Sequence, residues 1–473
     1  MLKKVKKFVT KCNNFLNLYP NKIDEIDMQL KSLQDECVDI QDVKDIQDKI
    51  DSYDEKLMKL KEEFINLNYK IDSLSLNFDC TNLEYLNLDH NVSKRRVLIV
   101  GFYGASNLGD ELMLFAILNK ISLYDSILDI TVMLSENYAF DITRYPKCKI
   151  IHYPKNIMDI NTLANYYDVV IFGGGALLDD TDYNLNKMGL SLGTTLVNLA
   201  YRMITCKKKV LLYGLSSNYE LKNPEYIDKL NFIANNANYF SLRDTNSLEV
   251  LEKCGISIDK IDVVHDLAFT YNCLDYIKGE NKNLILKVGL IYVCNEENYK
   301  KLFDLTKNMI KFFKDKDLKY KIVMIPFYEY LNNDTSYYKK MLEEINDENI
   351  EVLNYPNPVE DIFNIISKLD VCVSMRYHGT LISNMVGVPT LNLLFDCHRH
   401  YKNKVAYLYE KYGYKNYQIN FSQINKSDYI NTLEKLCDIK ENKKLNKKIN
   451  IEANEQINEV INKFIIDKDE ELK

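Results

Sequence analysis

Two α/β units in tandem, each a parallel sheet covered by helices on both faces, are what this sequence predicts behind a helical N-terminal segment. Three observations carry that reading. From Arg95 onward, short β-branched runs alternate with stretches of helical periodicity. A polar interval, YIKGENKN at 276–283, interrupts the alternation, which then resumes. Residues 1–90 differ from both parts: they hold no glycine, Pro20 is their single proline, and their apolar residues follow a heptad.

The N-terminal segment comes first. Ile23, Ile26, Leu30, Leu33, Cys37 and Ile40 are spaced alternately by three and four. The pattern restarts at Val43 and runs through Ile46, Ile50, Tyr53, Leu57, Leu60, Phe64, Leu67, Ile71 and Leu74. A seam kept over so many turns asks for a partner helix, so self-association into a homo-oligomer, or an antiparallel hairpin, is expected over 1–90. A lone amphipathic helix on the main body is the alternative.

The runs RRVLIVG, DITVML, KIIHYP, DVVIFGGG, KKVLLYGL, NYFSLRD and IDVVHDLAF read as buried strands of a first Rossmann-like domain over 94–280. LKVGLIYV, KYKIVMIPF, IEVLNY, DVCVSM and PTLNLLF build a second over 281–422. The tail, 423–473, has helical spacing at Ile451, Ile457, Val460, Ile461 and Phe464, and is expected to lay a helix back across the domains. Ligands of such sheets bind beyond the C-terminal strand ends, which places the site in the cleft between the two domains.

Composition narrows the function. A hydrophobic share of 46% supports real cores, and a net charge of −7 argues against a nucleic-acid partner. Eleven cysteines without a C-x-x-C pair imply reduced thiols. No stretch reaches the roughly 20 apolar residues of a membrane span. The start, MLKKVKKFVTKCNNFL, is basic but lacks the uninterrupted apolar core of a signal peptide. A plain helix start is preferred over a surface anchor, and the cytoplasm is the expected compartment.

Four stretches carry candidate chemistry. GFYGASNLGDE (101–111) follows the first strand, and its glycines at 101, 104 and 109 suit a sharp turn that brings N–H groups toward a ligand. Asn107 and Asp110 are candidate substrate contacts there, with Asp110 as a cap the alternative. The loop matches neither a dinucleotide nor a Walker pattern. Gly173, Gly174 and Gly175 end a strand, allowing close approach of substrate or of the first glycine loop, and Asp179 and Asp180 follow with acceptors for sugar hydroxyls. In SLRDTNSLEVL, Arg243 ends a strand and suits a carboxylate or phosphate, whereas Asp244 suits a helix cap. In SMRYHG, His378 sits where a helix begins, well placed for proton transfer. Arg376 joins the substrate-binding candidates, although its position better suits orienting the loop.

In this order the stretches resemble the polysaccharide pyruvyl transferase family. The resemblance rests on Asn107, Gly109 and Asp110 (N-x-G-D), GGG at 173–175, S-x-R-D at 241–244, and Val264, Asp266, Ala268 and Phe269. It continues with M-R-x-H at 375–378 and G-V-P at 387–389, and spans roughly 95–415. It implies a fold like GT-B glycosyltransferases and transfer of pyruvate from phosphoenolpyruvate to hydroxyls of a sugar, giving a ketal. The family's Arg and His are matched by Arg243 and His378. Its lysine normally follows G-V-P in D-P-K-V, a tetrapeptide absent here; Lys404 is the preferred match, with Lys402 and His398 open.

The resemblance also implies phosphoenolpyruvate as co-substrate, no cofactor, and a glycan acceptor of a cell-surface or exopolysaccharide precursor. A lipid-linked acceptor would bring the protein to the inner membrane face, where the basic N-terminal residues could touch the surface. Adding a hydroxyl to the donor's C2 needs cations on its anionic groups, an acid and a base. Arg243 and Lys404 supply cations and His378 the acid; Asp110, Asp179 and Asp266 are open as base. No metal ligand set is evident. The rivals are a glycosyltransferase of the same architecture using a nucleotide-sugar donor, and a silent scaffold assembled by the coiled coil.

Overall fold

The computed structural model describes residues 94–134, 147–184, 189–217, 219–273, 285–330, 333–394, 399–412, 417–438 and 447–466, with the backbone alone for 399–403 and 447. The chain divides into Met1–Leu88 and Asp89–Lys473, and every described residue belongs to the second unit. The heptad segment, the polar linker at 276–283, His398 and the side chain of Lys402 lie outside the described residues.

Two wholly parallel sheets organise this unit. The first has the order β3-β2-β1-β4-β5-β6-β7, built from β1 (Arg95–Val100), β2 (Leu128–Leu134), β3 (Lys149–His152), β4 (Val169–Leu178), β5 (Lys209–Ser217), β6 (Tyr239–Leu242) and β7 (Ile261–Val263). The second runs β10-β9-β8-β11-β12-β13, from β8 (Leu286–Ile291), β9 (Tyr320–Met324), β10 (Ile350–Val352), β11 (Val371–Ser374), β12 (Thr390–Leu394) and β13 (Gln418–Asn420). Twelve of these strands fall on the runs read from sequence. The thirteenth does not: β13 is three half-buried residues at a sheet edge, with Ile419 its single apolar side chain. The central strands are apolar throughout because helices cover both faces, as in Val169–Phe172 and Val97–Val100, all buried.

Both sheets reverse their strand order in the middle, between β1 and β4 and between β8 and β11. Loops leaving those neighbouring strands diverge to opposite faces and open a crevice at the C-terminal edge. The glycine loop leads from β1 into α1 (Leu108–Ile121), and residues 375–378 lead from β11 into α9 (Tyr377–Met385). One hydrophobic cluster runs through both halves, joining Ile99 and Ile117 of the first to Ile325, Phe363 and Leu381 of the second.

Between α1 and α9 lie α2 (Ile157–Tyr166), α3 (Leu192–Thr205), α4 (Pro224–Asn236), α5 (Thr245–Lys253), α6 (Tyr299–Asp315), α7 (Asp334–Ile345) and α8 (Asp361–Ser367). After α10 (Arg399–Tyr412), α11 (Lys426–Cys437) buries Tyr429, Leu433 and Leu436 in the second core. By contrast, α12 (Lys447–Ile461) buries Ala453 and Ile457 in the shared cluster. The Asn450 side-chain amide donates to the carbonyls of Phe269 (2.7 Å) and Tyr271 (2.9 Å), and the amide of His265 donates to Gln456 Oε1 at 3.1 Å. The tail thus braces the segment that carries Asp266. Among the described residues no helix is long and apolar enough to cross a membrane.

Candidate active site

The two glycine-bearing stretches of the first domain pack on each other. Gly174 and Gly175 adopt φ of 69° and 90°, a region that disfavours side chains, and the β4–β5 register shifts just beyond them. A Cβ on Gly174 would stand 2.5 Å from the Met113 sulfur of α1, and one on Gly175 would stand 2.9 Å from Asp110 Oδ1. The Tyr103 hydroxyl donates to the Gly173 carbonyl, and that of Tyr153 to the Gly101 carbonyl. The tract therefore makes room for α1 and, through Gly175, lies against Asp110.

In the first loop one glycine serves the sharp turn read in the sequence and the other two make room for side chains. Of the three, Gly104 alone has positive φ, at 77°. Gly101 makes room for the Tyr103 ring. Gly109 makes room for His378 of the other domain, since a Cβ there would lie 2.0 Å from Nδ1. The loop also docks onto the second domain through its backbone: Leu108 N–H donates to Phe327 O (2.9 Å) and Glu329 N–H to Ser106 O (3.2 Å). Asn107 precedes α1 without a side-chain capping bond and forms an antiparallel bridge with Tyr328.

Arg243, Asp266 and His378, which follow β6, β7 and β11, meet beyond the C-terminal ends of those strands. Arg243 Nη1 donates to Asp266 Oδ2 at 2.8 Å, and both side chains are buried. The Arg243 guanidinium also lies 4.6 Å from the centre of the Tyr377 ring. His378 Nε2 stands 3.6 Å from Asp266 Oδ1, a charge contact too long for a hydrogen bond. That nitrogen and Arg243 Nε have no hydrogen-bond partner among the described residues. Burial raises the Asp266 pKa, but the charges of His378 and Arg243 outweigh it and hold the carboxyl well below the usual range. The adjacent Asp244 caps α5, as its sequence position suggests, by accepting from Ser247 N–H at 2.7 Å.

Two further ionisable groups feel the charge of Arg243. Burial pushes Asp110 up to about 6, countered by His378 and Arg243 and assisted by Asp266. Its carboxylate accepts no hydrogen bond among the described residues, and it sits in the first turn of α1, not at the cap. Lys404 of α10 is buried and donates to Ser216 Oγ at 3.0 Å. Burial lowers it to about 7, with Asp244 opposing and Arg243 adding to the fall. Arg376 does not join this group by any described contact. It donates to both oxygens of buried Asp334, at 2.7 and 2.9 Å, and Asp334 also accepts from the amides of Phe327 and Tyr328.

Sequence reasoning named Asp266 as one open base and missed it as the carboxylate that Arg243 and His378 share. It missed Asp334 altogether and read Glu111 only as an acidic residue suited to a helix start. Glu111 is buried in α1, accepts from Gly104 N–H at 2.8 Å, and is pushed by burial up to about 8. The signal available was the acidic pair Asp110-Glu111 at a helix start, which reads as dipole compensation whenever burial is unknown.

Fold and site together define a two-domain α/β protein that buries an arginine, a lysine and a shared carboxylate beyond the C-terminal ends of its strands. The sequence profile of the polysaccharide pyruvyl transferase family matches residues 107–396, and the chain belongs to that family. No curated protein matches it by sequence. Similar solved structures include a UDP-GlcNAc 2-epimerase from Neisseria meningitidis bound to UDP-GlcNAc, 12% identical, covering 77% of this chain and 99% of the other with a TM-score of 0.49. A UDP-GlcNAc 2-epimerase from Methanocaldococcus jannaschii is 13% identical, with 77% and 99% covered and a TM-score of 0.47.

Proposed function

We propose that this chain transfers pyruvate from phosphoenolpyruvate to two hydroxyls of one sugar in a cell-surface or exopolysaccharide precursor, forming a ketal and releasing phosphate. The observation that carries the reading is the buried pairing of Arg243 with Asp266, a carboxylate that His378 also faces, with buried Lys404 near enough to feel the Arg243 charge. A donor bearing a carboxylate and a phosphate on one vinyl carbon calls for such cations, which act strongly where water is excluded.

In the first step the acceptor oxygen bonds to C2 of the donor. His378 delivers a proton to the CH₂ carbon, converting it to methyl, and a carboxylate takes the hydroxyl proton. In the second step the neighbouring hydroxyl attacks C2 and gives its proton to the imidazole left neutral by the first step, inorganic phosphate leaves with the C2–O bonding pair, and the ring closes. Asp110 is the better base of the three carboxylates considered. Asp266 is committed to Arg243 and to the amide of Ala268, and Asp179 to the amide and hydroxyl of Thr181. Positioned acids and bases commonly contribute about 10²–10⁴ in rate. The scheme asks for no cofactor beyond the donor. A lipid-linked glycan at the cytoplasmic membrane face is the acceptor form that fits this role.

The test is phosphate release from phosphoenolpyruvate with a panel of sugar acceptors, for the wild type beside His378→Ala. Acceptor-dependent release that the variant loses is expected. Failure of every acceptor, together with stabilisation by nucleotide sugars and none by phosphoenolpyruvate, would overturn the reading in favour of a glycosyltransferase.

A further inference from the structure

On the first-domain side of Asp110 lies a cavity of about 390 Å³, within the roughly 300–1,000 Å³ range of small-molecule sites. Asp110 and Asn107 form one wall. Ala176 and Leu177 of β4, with the loop carrying Asp179 and Asp182, form the others, and Phe102 lines it with a ring that is 36% exposed. Arg243, His378 and Lys404 are not among the lining residues, so Asp110 is the group that stands between this cavity and the cationic cluster.

We infer that this cavity is the acceptor subsite, that it seats one pyranose ring, and that it selects sugars without an anionic substituent. The inference rests on the proposed transfer reaction for its role, and on the cavity's own chemistry for its selectivity. Its described lining contributes three carboxylates (Asp110, Asp179 and Asp182) and no cation. Ionised carboxylates accept hydrogen bonds and donate none, so they suit hydroxyls or a protonated amine and repel a uronate or a sugar phosphate. Phe102 and Leu177 offer apolar surface to the C–H face of a pyranose. A hydroxyl leaving this cavity toward the cationic cluster meets Asp110 first, where its proton has to go. The neighbouring Asp180 takes no part: its Oδ2 accepts the amides of Lys222 and Asn223, both at 2.5 Å.

The experiment is saturation-transfer NMR on the full chain with neutral methyl glycosides (gluco, galacto, manno and N-acetylated forms) beside methyl glucuronide and methyl galacturonide. Phosphoenolpyruvate-induced thermal stabilisation is measured in parallel. At least one neutral glycoside should receive saturation, the uronides several-fold less, and Ala176→Phe should abolish the signal by filling the cavity. Asp182→Asn, at an exposed position that leaves packing alone, should narrow the neutral-to-uronide ratio several-fold. Uronides binding as well as neutral glycosides, no neutral glycoside binding, a signal that survives Ala176→Phe, or a ratio untouched by Asp182→Asn would each overturn the inference. Sugar signals that behave as expected without any effect of phosphoenolpyruvate would keep the subsite and sink the pyruvyl donor. Stabilisation by phosphoenolpyruvate with unaltered sugar signals would do the reverse.

Discussion

The imidazole of His378 lies against the backbone of Gly109, so closely that a Cβ on that glycine would stand 2.0 Å from Nδ1. The contact joins the first turn of α1 to the first turn of α9, across the crevice. Gly109→Ala should therefore push His378 away from Asp266 while changing little else in the helix. We expect turnover to fall by about 10²-fold or more, as for a misplaced catalytic group, with phosphoenolpyruvate-induced stabilisation retained. Steady-state rates beside thermal shifts check this; an alanine variant with wild-type turnover would remove the contact from the mechanism.

Asp266 neutralises Arg243 in a buried setting, and removing it leaves a buried cation without its partner. Asp266→Asn should cost roughly 3–5 kcal/mol of stability, read as a lowered Tm. The same change makes the site more positive. The thermal shift caused by saturating phosphoenolpyruvate should then be larger in the variant than in the wild type, because the donor's own anionic groups replace the missing carboxylate.

The pH dependence follows from two groups displaced toward neutrality. Asp110, pushed up to about 6, must be ionised to accept a proton, so kcat/KM should fall as pH drops through 6. Lys404, lowered to about 7, loses its charge as pH rises, so at low donor concentration kcat/KM should also fall above 7. A bound anion favours the charged lysine, and the alkaline limb of kcat should lie at higher pH than that of kcat/KM. Lys404→Met should remove the alkaline limb along with most donor affinity.

These groups show how far the sequence speaks. Arg243 and His378 are legible because each sits at a strand end within a motif, whereas Lys404, inside a helix, is reached through the family resemblance alone. The roles of Gly109 and Asp266 are not legible. A glycine that accommodates a side chain from another domain looks the same in sequence as one that turns the chain. A carboxylate shared by residues 23 positions before it and 112 after it has no local signature. The strands were readable wherever both faces are buried, and β13 was lost because a half-buried edge of three residues carries almost no pattern.

Glu111 should make stability fall with rising pH. Its carboxyl ordinarily titrates at 4.5 and is raised to about 8 by burial, so between those values the folded chain holds a proton that the unfolded chain has released. Its stabilising contribution is complete below about 4.5 and is lost progressively up to about 8. Glu111→Gln keeps an acceptor for the Gly104 amide and has nothing to titrate. Denaturant midpoints measured from pH 5 to 8.5 should slope downward in the wild type and flatten in the variant.

Arg376 offers a case where binding and positioning can be told apart. Its guanidinium holds both oxygens of Asp334, and Asp334 in turn holds the amides of Phe327 and Tyr328, next to the backbone bonds that dock the Gly101–Glu111 loop. Removing the cation leaves Asp334 buried and unpaired, so Arg376→Ala should lose roughly 3–5 kcal/mol of stability. Turnover should drop more than the KM for phosphoenolpyruvate rises, because the loop carrying Asp110 loses its support while the Arg243 and Lys404 side chains stay in place. Arg376→Lys, which keeps the charge but not the two-oxygen grip, should recover part of the Tm and part of kcat together. A direct substrate contact would give the opposite pattern: an unchanged Tm and a KM for phosphoenolpyruvate raised in both variants.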